Sequence, residues 1–104
     1  MAIQNTTLTG TAADLLPTTG TRAITAIYFQ NNSPTVAIMV DIFVVPASGV
    51  ATTTTRIYKD VSIAVSDTLI VGTSEKIILE NGDKLQALAS TDNFIHATCS
   101  YTTF

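Results

Sequence analysis

The chain has 104 residues, a formal net charge of −3 and 46% hydrophobic side chains, but only 12% charged ones, against a usual charged share of about 25%. That length makes one domain, and five Lys and Arg in total are too few for the basic footprint of a nucleic-acid-binding protein. One cysteine excludes an internal disulfide, and the longest apolar run, Val36 to Pro46, is broken by Asp41 well short of a membrane span.

No basic-then-apolar leader opens the chain at Met1-Ala2-Ile3-Gln4-Asn5, so secretion is not expected. Threonine stands where other chains carry charge, as in Thr52-Thr53-Thr54-Thr55, and its branched carbon suits a pleated surface. Few charges and many branched side chains predict permanent association with other subunits.

Residues 1–20 stand apart from residues 21–104, which read as a β-sandwich domain. Met1 to Gly20 carries one charge, Asp14, and a short apolar knot at Leu15-Leu16. It reads either as a first short strand around Asp14-Leu15-Leu16 or as an arm that orders on a neighbouring subunit. Arg22 to Gln30 is the first long strand, with Ile24, Ala26 and Tyr28 on one face and Thr25, Ile27 and Phe29 on the other. Asn31-Asn32-Ser33-Pro34 turns the chain, since Asn tolerates left-handed dihedrals and Pro lacks the ladder's donor. Thr35 to Val45 follows, and its Val36, Ile38, Val40, Ile42 and Val44 form the central core face.

Pro46-Ala47-Ser48-Gly49 ends that strand, Ala51 to Lys59 resumes extended structure, and a reversal is expected near Asp60. Val61, Ile63 and Val65 alternate with polar or small residues, Ser66-Asp67 turns, and Thr68 to Val71 is a short strand before the break at Gly72-Thr73-Ser74. Ile77 to Leu79 and Leu85 to Ala89 flank Asn81-Gly82-Asp83, where Asn and Gly accept positive φ at low cost; the expected structure is a hairpin whose flanking charges keep an exposed tip soluble. In the last strand, Phe94 to Tyr101, Ile95, Ala97, Cys99 and Tyr101 oppose His96, Thr98 and Ser100. Helical periodicity is absent, and the pattern predicts an all-β fold: one antiparallel sandwich, jelly-roll-like or immunoglobulin-like, of six to eight short strands.

The residues that carry chemistry are few. The only histidine, His96, lies on the polar face of its strand, while Cys99 points toward the core and reads as a small buried hydrophobe. Together they cannot make a four-ligand zinc site. Glu80, Asn81 and Asp83 offer oxygens to a hard cation but lack the further acidic residues of a calcium loop. No phosphate loop or nucleophile elbow appears. The expectation is therefore no catalytic residue, no metal, no cofactor and no enzymatic activity. Asp41 interrupts the most apolar strand, on a parity shared with Ala37, Met39, Phe43 and Val45. It reads as a guard against edge pairing or as an intersubunit ion pair with Arg56, Arg22 or Lys59. The sequons at Asn5 and Asn31 read as accidental.

The segments RIYKDVSIAVSDTLIV, EKIILENGDKLQALAS and IHATCSY resemble the small β-sandwich virion structural proteins of tailed bacteriophages. The shared pattern is a Leu-x-x-Gly-Asp-x-Leu-x-Ala hairpin, then a closing strand ending Thr-x-Ser-Tyr, and it covers about residues 19 to 101. This resemblance implies a virion subunit assembled in the host cytoplasm as a homo-oligomer, a trimer being favoured, whose partners are itself and the major capsid protein or other virion proteins. The chain departs from longer fibre proteins in lacking any repeat, glycine-rich shaft or receptor-binding appendix, which favours a capsid-bound or neck role over a host-recognising tip; capsid decoration, or cement, is the expected role. A neck, tail or fibre component is the alternative. A carbohydrate-binding module is the second alternative, for which Tyr58 and Tyr101 are the exposed candidates and no Trp is present.

Overall fold

The computed structural model describes residues 2–71 and 77–103, and these form two antiparallel sheets packed as a sandwich. The strands in chain order are β1 (Ala2–Thr7), β2 (Ala13–Asp14), β3 (Arg22–Asn31), β4 (Ile38–Val45), β5 (Arg56–Ile63), β6 (Thr68–Val71), β7 (Ile77–Leu79), β8 (Lys84–Ala89) and β9 (Ile95–Thr103). Sheet A runs β1-β9-β3-β6, with β7 also pairing β3; sheet B runs β2-β8-β4-β5. Nine strands thus replace the six to eight expected, and no helix occurs among the described residues. The expected break at Gly72-Thr73-Ser74 and the Glu75-Lys76 charge pair lie outside the described residues.

The core forms where the two sheets meet. Phe29 and Ile27 from β3, Ile38, Val40 and Ile42 from β4, Leu85 from β8 and Ile95 from β9 are fully buried. Each such side chain contributes about 1.5–3 kcal/mol relative to exposure. Residues 2–20 belong to this sandwich: β1 pairs with β9 in register Ala2↔Tyr101 through Thr7↔His96, β2 pairs with β8, and Leu8, Leu15 and Leu16 are buried in the common core. The radius of gyration, 12.9 Å, matches the roughly 13 Å expected of a compact chain this long.

Period-2 alternation places β8 and β9 as expected: Leu85, Ala87 and Ala89, and Ile95, Ala97, Cys99 and Tyr101, all face the core. In β3 it fails at one residue. Pairing with β9 shifts between Ile24 and Ala26, so Thr25 is a bulge, and Ile24 ends up buried on the same side as Ile27 and Phe29. In β4, Ile38, Val40 and Ile42 are buried as expected, but Val36 precedes the strand and is 53% exposed. Phe43 and Val45, of opposite parity, are buried too. The loop after β4 folds back there: a Cβ on Gly49 would lie 3.3 Å from Val45 Cγ1.

The reversal expected near Asp60 does not occur. Asp60 lies inside β5 with φ 51°, at the second of two bulges that each add a residue to β5 opposite β4. Asp41 holds this bulge, its Oδ1 accepting the Asp60 N–H at 2.7 Å. The preceding threonines form a turn instead of a strand, the Thr55 N–H donating to the Thr52 carbonyl.

The Asn81-Gly82-Asp83 turn is likewise no hairpin, because β7 belongs to sheet A and β8 to sheet B. Only Gly82 has positive φ (92°), whereas the type I′ turn that suits a two-residue hairpin needs it at both central positions. The chain crosses from one sheet to the other here, and every residue of the turn is tied down. Asn81 Oδ1 accepts the Gly20 N–H at 2.9 Å, the Gly82 N–H donates to the Thr18 carbonyl, and the two Asp83 carboxylate oxygens accept the N–H groups of Ala47 and Glu80. Beneath the turn lies Arg22, fully buried, whose guanidinium donates to the carbonyls of Pro17, Gly20, Glu80 and Asp83. The turn is thus a junction that closes one end of the sandwich; the charge on Asp83 caps main-chain donors where solubility was the expected role.

Candidate interaction surface

Strand register assembles the outer face of sheet A from residues far apart in the chain. One row across the sheet reads Asn5, Thr98, Tyr28 and Ile70; the next reads Thr7, His96, Gln30 and Thr68. Ile3 beside Ser100, and Ile78 beside Ala23, extend it at either end. The only charged residue on the strands of sheet A is Arg22, and it is buried. The charged strand residues are otherwise those of sheet B: Asp14, Asp41, Arg56, Lys59, Asp60 and Lys84. This face also exposes Ile3 at 66%, Ile78 at 61%, Ile70 at 54% and Tyr28 at 40%.

Polar groups on this face bond to one another across the strands. Thr98 Oγ1 donates to Asn5 Oδ1 at 2.8 Å, Thr25 Oγ1 lies 2.9 Å from Ser100 Oγ, and Thr7 Oγ1 shares a 3.1 Å hydrogen bond with His96 Nδ1. Such cross-strand pairing lowers the dehydration penalty when a partner covers the face, since each of these groups keeps one partner.

The residues singled out in the sequence are dispersed. His96 lies on sheet A's outer face near the start of β9; Cys99 is in the core, a free thiol that burial pushes up to about 11. Asp41 does pair with Arg56, at 3.3 Å, but within the chain. The oxygens of Asn81 and Asp83 already accept main-chain N–H groups, and no cluster of three or more His, Cys, Asp or Glu able to hold a metal occurs among the described residues. The two tyrosines named for a sugar platform are not exposed: Tyr101 is buried, and Tyr58 is half-buried against the core. The exposed tyrosine is Tyr28, which the alternation had placed on one face with Ile24 before the Thr25 bulge reversed the parity. The sequence offers Arg22 only as a partner for Asp41; its burial as an anchor shows once the Thr25 bulge sets Ile24, and Arg22 two residues before it, on the inward side.

Fold and surface define an antiparallel β-sandwich in which, among the described residues, the exposed strand charges lie on one sheet and the strands of the other present an uncharged outer face. No family model, curated protein or solved structure matches the chain.

Proposed function

We propose that this protein is a structural component of a tailed-phage virion, a capsid decoration or cement protein that bridges neighbouring capsid subunits and resists the outward pull of the packaged genome. The observation that carries the reading is the outer face of sheet A, whose strands present no ionic side chain among the described residues yet expose Ile3, Tyr28, Ile70 and Ile78. A face of this kind is depleted in charge in the way the buried centre of an interface is. From strand spacing and rise it measures about 20 by 30 Å, roughly 600 Å², close to the 800 Å² or so that one partner contributes to a standard interface. The resemblance of the sequence to small phage sandwich proteins supplies the virion context. A neck or tail position uses the same face on a different ring of neighbours.

Titrating the protein onto heads assembled without it tests the reading: heat and pressure resistance rise to a plateau as sites fill. Heads no more resistant at saturation would refute the cement role. Counting copies per particle separates the positions, hundreds for the capsid and about a dozen for a neck or tail ring.

A further inference from the structure

The four edges of the two sheets are not alike. In sheet B, β5 carries Arg56, Lys59 and Asp60 and two bulges, and β2 is two residues long. On one side of sheet A the edge is divided between the short strands β6 and β7. Charge, bulges and shortness are the usual devices that stop strands pairing with foreign ones. The other edge, β1, is six residues of Ala-Ile-Gln-Asn-Thr-Thr with no charge, no Pro, no Gly and no break in its register with β9.

The direction of its free hydrogen-bonding groups follows from the chain just beyond it. The Leu8 N–H donates to the Ile95 carbonyl at 2.8 Å, and the Leu8 carbonyl accepts the Asn93 N–H, so residue 8 turns its main-chain groups toward β9. Alternation then turns those of Thr6, Gln4 and Ala2 the same way and those of Ile3, Asn5 and Thr7 outward.

We propose that β1 pairs with β1 of a second copy, antiparallel about a twofold axis through Asn5. Opposed residues of an antiparallel pair share a face, so residues of like parity must meet, and an axis at Asn5 sets Asn5 against Asn5 and Ile3 against Thr7. In that register the N–H and C=O of all three outward residues find partners, and no like charges meet. The pair joins two copies of sheet A into one continuous sheet with an uncharged outer face. It is a twofold assembly, where the resemblance favoured a trimer, and it rests on the β1 edge alone.

Sedimentation of the purified chain tests it with two variants. Asn5→Asp keeps an oxygen for the Thr98 hydroxyl but sets two carboxylates against each other on the axis; Asn5→Pro removes an N–H that β9 does not use. The wild type sediments as a dimer at about 100 μM, and each variant, with its circular dichroism unchanged, weakens the dimer by at least tenfold. Hydrogen exchange adds a readout that face-to-face stacking would not give. The amides of Ile3, Asn5 and Thr7 become protected as concentration rises, while those of Gln4 and Thr6 stay constant. A monomeric wild type, or a dimer in which those three amides exchange as in the monomer, would overturn the assignment. A dimer that never binds phage heads would leave it standing and remove only the cement reading.

Discussion

Arg22→Met is expected to be among the most damaging single substitutions in the molecule. The buried guanidinium donates to four main-chain carbonyls, those of Pro17, Gly20, Glu80 and Asp83, and so joins the loop before β3 to the turn before β8. Methionine fills much of the same volume but donates nothing. Pro17, Gly20 and Glu80 lie at the surface, where water can replace the lost donor; the half-buried Asp83 carbonyl recovers less. Weighing about 1–3 kcal/mol for each acceptor left dry against that recovery gives a loss of roughly 3–5 kcal/mol. For a domain whose whole stability is about 5–15 kcal/mol, this lowers the melting temperature by on the order of 15 °C. Arg22→Lys keeps the charge without the planar fork and falls between the two. Urea titration with an unchanged slope measures the difference, and an Arg22→Met protein within about 1 kcal/mol of wild type would refute the anchoring role.

Further outcomes follow from the same geometry. Gly82→Ala costs about 2–4 kcal/mol, since φ is 92° and the new Cβ would lie 2.9 Å from Ala47 Cβ, while Gly20→Ala, at φ 75° with nothing within 4 Å, costs about 1; adding Ala47→Gly to the first variant recovers part of its loss in thermal melts. Asp41→Asn retains an acceptor for the Asp60 N–H but removes one charge from a largely buried ion pair, so it costs about 1–2 kcal/mol, whereas Asp41→Ala also frees the bulge and costs about 1 more. Burial holds the Cys99 thiol protonated up to about 11 against its ordinary 9.0, so the unfolded chain releases that proton first as pH rises. The thiol's contribution to stability is whole below pH 9 and is lost progressively toward pH 11; comparing Cys99→Ala with wild type across that window isolates it, and the variant's curve is the flatter.

What the sequence discloses and what it conceals divide along the reach of the interactions. In β8 and β9 alternation is unbroken, and there the buried faces are readable residue by residue. A bulge defeats that reading because nothing local announces it: Thr25 looks like any strand threonine, yet it reverses the parity that decides whether Tyr28 is core or surface. Asp60 misleads in another way: Asp is a common turn residue, but Asp41 on the neighbouring strand holds it left-handed as a bulge inside β5. Asn81-Gly82-Asp83 is legible as a turn but not as a crossing, since the choice of sheet rests on β3 and β4, some 40 residues or more earlier in sequence. The candidate surface was the least visible of all. Low overall charge is plain in the composition, but that the strand charges other than buried Arg22 all fall on sheet B appears only once β1, β3, β6, β7 and β9 are set side by side.

Native mass as a function of ionic strength tests most directly whether copies pair through the uncharged β1 edge of sheet A. Contacts without charges are insensitive to screening, so the assembly holds a multiple of the 11.0 kDa chain mass from low salt to about 1 M, where the Debye length has shrunk to about 3 Å. A single 11.0 kDa species throughout, or an assembly that salt takes apart, would contradict the account.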